Sequence, residues 1–327
     1  MSRAAVRYRE FRPCCALRGS VSALFHFSEA IVEATDRPVS LELQFSSGER
    51  VCAPTFADGH ACIVFGFPRY YSPDGAWRSA SERAAESVMG PVTTAGPLCV
   101  PARAESIGVY LRAGCTIPGT QAAELENRIV ALEDLWGREA RELAEALSAI
   151  QGEAERIAYL ESALVRRMTA RRPLEPSVDV SRVTEWVIEN GGRVTVERLA
   201  QAAGLSRQHF TRVFRTSVGV SPKVYCQLAR FRSTLAYFQP GEDVEWAQVA
   251  AESGYTDQSH MIAEFRRFTG MTPEALLHER WFHPFIERRV REGSAGAVPK
   301  PSGATIRHAP GRVSARQTES LRHSIPT

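Results

Sequence analysis

The chain has 327 residues, 44% apolar and 24% charged, with a formal net charge of +3. This is the composition of an ordinary soluble protein long enough for two domains. No run approaches the roughly 18 uncharged apolar residues of a membrane span, and Cys14 to Phe27, broken by Arg18, Gly19, Ser20 and His26, makes a poor signal-peptide core. The expected compartment is therefore the cytoplasm.

From about Arg7 to Ile117, short apolar runs are punctuated by Gly and Pro: Leu41 to Phe45, Ala61 to Phe67, Leu98 to Val100 and Ser106 to Leu111. That pattern predicts a mostly β domain over residues 1–119. Between Thr120 and Met168 apolar residues take helical spacing: Leu125, Ile129 and Leu132, then Leu143, Leu147 and Ile150, then Ile157, Leu160, Leu164 and Met168. Three helices are expected over 120–170, with breaks near Gly137 and Gly152, serving packing or dimerisation. The stretch 171–179, opening Arg171-Arg172-Pro173-Leu174-Glu175-Pro176, reads as a linker. An all-α domain is expected over 180–287. Residues 288–327 have few large apolar side chains and eight basic residues against two acids, and read as a disordered basic tail. The fold class is α+β.

The all-α domain contains one pattern twice, about fifty residues apart. Leu199-Ala200 and Gly204-Leu205 match Val249-Ala250 and Gly254-Tyr255; Phe210 and Phe214 match Met261 and Phe265; Gly219-Val220-Ser221-Pro222 matches Gly270-Met271-Thr272-Pro273. Each copy reads as helix, tight turn, helix. The small Ala200 or Ala250 allows close approach, Gly204 or Gly254 supplies a left-handed turn residue, and Ser206 or Asp257 caps the second helix. Phe210, Val213 and Phe214 would pin that helix to the core and leave Arg207, Gln208, Thr211, Arg212 and Arg215 outward, as entry into a major groove requires.

The copies differ in charge. Residues 193–232 carry eight basic residues against one acid, and 242–287 carry three against nine, net +7 and −6. A basic patch suits phosphate contact. Superposing the caps sets Arg207 opposite Gln258, Gln208 opposite Ser259, Thr211 opposite Ile262 and Arg212 opposite Ala263. Arg212 could pair with guanine, Gln208 with adenine, and Thr211 could offer its hydroxyl or methyl to thymine. Arg207, Gln208, Thr211 and Arg212 are thus the base-reading candidates. Arg215, Gln258, Ser259 and Arg266 are candidates for backbone or secondary contacts.

Leu199-Ala200, Ser206, Phe210, Arg212, Phe214, Gly219, Ser221-Pro222, Tyr225 and Arg230 come from the first half of this pattern. Val249-Ala250, Gly254-Tyr255, Asp257-Gln258-Ser259-His260, Phe265, Gly270 and Thr272-Pro273 complete it. On these residues the segment 180–283 resembles the AraC/XylS family of bacterial transcription regulators. The resemblance implies two helix-turn-helix units joined by a long central helix, with recognition helices one duplex turn apart, roughly 34 Å. Ala263 departs from the family, which often has arginine there. The first domain is similar to an amino-terminal domain of many members, through Phe56-Ala57-Asp58-Gly59 and Val130-Ala131-Leu132-Glu133-Asp134-Leu135-Trp136-Gly137. That implies effector sensing or dimerisation, without naming a ligand. Double-stranded DNA is the expected partner, with RNA polymerase for an activator, a small-molecule effector and a homodimer partner as further candidates.

A metal enzyme is the rival reading, but His26 and His60 are the only histidines in the first 115 residues and neither belongs to an HxH or HExxH pattern. No catalytic residue, cofactor or metal is assigned. The seven cysteines (14, 15, 52, 62, 99, 115, 226) form no CxxC pair. Cys14-Cys15 lacks the basic setting of a methyl acceptor. Cys52, Cys62, Cys99 and Cys115 fall in the sensor-like region, where redox sensing competes with simple core filling. Asp58-Gly59 reads as a turn.

Overall fold

A computed structural model describes residues 4–11, 21–31, 50–57, 59–71, 77–79, 85–101, 104–115, 117–169, 180–238 and 244–277. The expected strand Leu41 to Phe45, the linker 171–179 and the tail 288–327 lie outside the described residues. The chain divides into two compact units: Met1–Thr55, His60–Val92 and Gly96–Leu174 form the first, and Phe56–Gly59, Thr93–Ala95 and Glu175–Thr327 the second. No described helix is long and apolar enough to cross a membrane.

In the first unit, strands β1 (Ala4–Phe11), β2 (Val21–Ile31), β4 (Cys62–Tyr71), β6 (Ala85–Met89), β8 (Ala104–Leu111) and β9 (Ile129–Ala131) form an antiparallel sheet in the order β1-β2-β8-β4-β6-β9. The short β5 (Trp77–Ser79) pairs with β4. A separate two-stranded ribbon joins β3 (Arg50–Thr55) to β7 (Gly96–Pro101).

Side chains alternate across a strand, so Ile63, Phe65 and Phe67 of β4 share one buried face with Ile107, Val109 and Leu111 of β8. The register pairs Ile63 with Val109 and Phe65 with Ile107, and sets Val88 of β6 against Ile63 on the other side. Helices α1 (Leu132–Trp136), α2 (Arg138–Ala149) and α3 (Glu153–Thr169) complete this core. Their contributions follow helical spacing: Leu132 and Trp136, then Ala140, Ala144 and Leu147, then Ile157, Leu160 and Leu164. Full burial of one such large side chain is worth roughly 1.5–3 kcal/mol. Buried Arg156 of α3 donates from Nε to the Ile150 carbonyl at 2.6 Å and lies 4.8 Å from the Phe67 ring centroid.

The helix breaks near Gly137 and Gly152 are where the spacing placed them. The start of the helical segment is not. Ala122–Glu124 is a single 3-10 turn, and Ile129 lies in β9, whose Val130 pairs with Val88. The β-branched pair Ile129-Val130 satisfies its backbone by extending the sheet past β6, which overrides the helical spacing of Leu125, Ile129 and Leu132.

Among the described residues, the second unit is helical with short turns, apart from its two short upstream segments. Its helices are α4 (Val180–Glu189), α5 (Val196–Ala202), α6 (Arg207–Val218), α7 (Pro222–Thr234), α8 (Trp246–Glu252), α9 (Gln258–Thr269) and α10 (Pro273–Leu277). Helix α7 is the shared spine. Phe214 of α6 meets Tyr225 of α7 edge-on, with ring centroids 5.6 Å apart. Further along α7, Phe231 meets Phe265 of α9 edge-on at 4.9 Å. Such pairs add about 0.5–1.5 kcal/mol beyond area burial.

Candidate nucleic-acid interface

The two helix pairs α5-α6 and α8-α9 are built alike. Leu205 N–H donates to the Ala200 carbonyl at 3.0 Å, and Tyr255 N–H to the Ala250 carbonyl at 2.9 Å. Gly204 and Gly254 take φ of 67° and 78°, the left-handed values that the tight turn needs. Ala200 and Ala250 are both buried, as close helix approach requires.

The recognition helices correspond end to end. Each has 12 residues, α6 between the Ser206 cap and Gly219, α9 between the Asp257 cap and Gly270. Ser206 Oγ accepts from His209 N–H at 3.3 Å, and Asp257 Oδ1 from His260 N–H at 2.8 Å. Both caps stand where the sequence put them. The turn before α9 is one residue longer, with Thr256 as the extra position, so the repeat offset changes from 50 at Gly204/Gly254 to 51 at Ser206/Asp257.

On α6, Phe210 and Phe214 are buried, Val213 is half-buried, and Arg207, Gln208, Arg212 and Arg215 are exposed. Gln208 and Arg212 sit four residues apart, as do Arg207, Thr211 and Arg215, so the candidates form two adjoining rows on one face. Thr211 is only half-exposed, and its hydroxyl donates to the Arg207 carbonyl at 2.8 Å. Arg207 is drawn toward α5, its Nη1 lying 3.0 Å from Glu197 Oε1. On α9, Gln258, Ser259, Ala263 and Arg266 are exposed and Ile262 is half-buried. Sequence reasoning passed over three further exposed positions: His209 and Thr216, three residues before and four after Arg212, and Arg267 on α9. Extending the helical rows by one turn would have found them.

At least three of the eight basic residues of 193–232 are engaged within the fold. One is Arg207. Arg193 donates to the Asn190 carbonyl at 3.2 Å and the Glu252 carbonyl at 3.3 Å. Arg230 is turned inward, donating from Nη2 to Glu264 at 2.9 Å and from Nη1 to the Gly254 carbonyl at 3.1 Å, with its guanidinium 4.6 Å from the Tyr255 ring centroid. Glu264, 5% exposed, also accepts from Gln227 Nε2 at 2.8 Å and faces His260 Nε2 at 3.5 Å. This network fastens α9 to the spine. Its counterpart position on α6 is Val213.

Burial pushes the Tyr225 hydroxyl up to about 12 and the Cys226 thiol up to about 11. Tyr225 packs on Phe214 and the Cys226 thiol donates to the Val194 carbonyl at 3.5 Å, and both stay neutral at physiological pH.

Residues 199–279 match the family described as "Helix-turn-helix domain". An uncharacterized HTH-type transcriptional regulator, YbfI of Bacillus subtilis, is 33% identical over 88 residues, covering 27% of this chain and 31% of its own. The HTH-type transcriptional regulator Rv1931c of Mycobacterium tuberculosis is 33% identical over 84 residues, covering 26% and 32%. The match thus spans less than a third of these curated relatives. The solved structure of ToxT from Vibrio cholerae aligns with 70% of this chain and 97% of its own at 10% identity, with a TM-score of 0.38.

The matched span, with its capped recognition helices, makes residues 199–279 a helix-turn-helix domain. Two such helix pairs share the central helix α7, the arrangement that the resemblance to the AraC/XylS family implied.

Proposed function

We propose that the chain is a sequence-specific regulator of transcription, acting in the cytoplasm on double-stranded DNA. It reads bases chiefly with the helix at about 206–217 and is positioned by the one at about 257–268. One observation carries this asymmetry: two recognition helices of equal length and equal capping present unequal faces, Arg207, Gln208 and Arg212 against Gln258, Ser259 and Ala263. A bidentate arginine or glutamine discriminates between bases by about 1–3 kcal/mol; of these faces the first offers three such side chains and the second offers one, Gln258.

In this reading Arg212, Gln208, Thr211 and Arg207 face base edges. Thr211 offers mainly its methyl, since its hydroxyl is held by its own helix. Arg215, Gln258, Ser259 and Arg266 fix register on the phosphates. Residues 1–170 would supply the response, through a small-molecule effector or a second copy of the chain, and an activator would also meet RNA polymerase.

The test is selection of duplexes from a random pool by the full chain, followed by quantitative binding. Arg212→Ala is expected to lose roughly ten- to a hundredfold in discrimination, and Ser259→Ala less than threefold. Equal losses would refute the asymmetry. Affinity should also fall steeply with salt, as counterion release from phosphates requires, and a flat response would count against DNA as the partner.

A further inference from the structure

The ribbon β3-β7 pairs Cys52 directly with Cys99. Directly opposed residues of an antiparallel ladder have Cα atoms about 4.5 or 5.5 Å apart, and both values fall within the roughly 4.4–6.8 Å that a disulfide spans. Two of the chain's seven cysteines therefore stand at one register position.

The segments flanking the ribbon give the pair a consequence. The ladder ends at Thr55 opposite Gly96. The residues continuing from that end, Phe56–Gly59 after β3 and Thr93–Ala95 before β7, belong to the helical unit. Ala57 N–H donates to the Phe268 carbonyl and Ala95 N–H to the Arg267 carbonyl, each at 2.9 Å. Phe56 and Ala57 are buried in the same cluster as Phe231, Phe265 and Phe268. A Cβ on Gly59, whose φ is +69°, would come within 2.9 Å of Leu228 Cδ1. The last carbonyls of a helix have no partner within the helix, so these two amides hold the C-terminal end of α9.

We propose that Cys52 and Cys99 form a peroxide-responsive dithiol pair whose disulfide stiffens the ribbon and so the hold on the second recognition helix. One thiolate attacks a peroxide oxygen; the O–O bond breaks, the leaving hydroxide takes up a proton, and a sulfenic acid forms. The second thiol then attacks that sulfur, the S–O bond breaks, and a second water leaves. Two thiols are oxidised to one disulfide and one hydrogen peroxide is reduced to two waters. The inference rests on the DNA-binding reading only for its effect on DNA.

The full chain, reduced or treated with hydrogen peroxide, is digested without reduction for peptide mass mapping and probed by amide hydrogen exchange. A linked Cys52–Cys99 peptide is expected, with exchange at Ala57 and Ala95 slowed at least threefold, and neither in Cys99→Ser. Both cysteines remaining thiols, linkage to other cysteines instead, or unchanged exchange at the two amides would overturn the proposal. Affinity for a selected duplex should rise at least threefold on oxidation, and equal affinity in the two states would overturn the coupling. If no duplex is bound in either state while the map and the exchange agree, the DNA-binding reading fails and the dithiol pair stands.

Discussion

The Arg230 guanidinium donates to the Glu264 carboxylate at 2.9 Å, joining the central helix α7 to the second recognition helix α9. Side-chain exposures of 16% and 5% place this charge pair well inside the unit. Its first-copy counterpart, Val213, carries no charge, so at α9 this ion pair is added to the kind of aromatic contact with α7 that both recognition helices make.

Removing one member of a buried ion pair strands the other, at about 3–5 kcal/mol. Glu264→Ala should cost that much in urea unfolding. The double change Arg230→Met with Glu264→Val should come within about 1–2 kcal/mol of the unaltered chain, because an apolar pair of similar volume avoids the desolvation penalty. Equal losses from the single and double variants would contradict this account.

The helix caps give a smaller prediction. Ser206→Ala and Asp257→Ala should each lower stability by about 1 kcal/mol, and hydrogen exchange should quicken in the first turn of the affected helix alone.

Glu197 restrains Arg207 in an exposed pair, 68% and 59% accessible. Glu197→Gln should leave the melting temperature almost unchanged, since exposed pairs contribute little. It should also tighten duplex binding severalfold at low salt, by freeing a guanidinium and removing a negative charge. Fluorescence anisotropy over a salt series would decide it.

Alkali should loosen the helical unit. The Cys226 thiol is raised in the folded state to about 11 from an ordinary value of 9.0, by burial first. Its contribution is fully present below pH 9 and is lost as pH rises through 11, because the unfolded chain releases the proton more readily. The linkage amounts to roughly 2–3 kcal/mol across that window. Cys226→Ala should flatten this part of a melting-temperature profile taken from pH 8 to 11.

Local chemistry made much of the helical unit readable. Ser206 and Asp257 are caps because a short oxygen-bearing side chain before a helix accepts a backbone N–H. Gly204 and Gly254 are left-handed for want of a Cβ. Phe210 and Phe214 are buried because they recur at helical spacing. Ile129 misled the same reasoning, since strand pairing across the sheet competes with helix formation and leaves no mark within a few residues of sequence.

The sequence by itself determined the duplicated helix, turn and cap, and the inequality of the exposed residues at Arg212 and Ala263, since both follow from residue type at fixed local spacing. Only the tertiary structure decided which charges face outward. Arg230 counts as basic in any tally, yet it is taken up by Glu264, 34 residues away. The same holds for Phe56 and Ala57, which stand in a β-rich stretch but pack with Phe265 and Phe268. Contacts between residues far apart in the chain depend on how whole elements pack, and no local pattern encodes them.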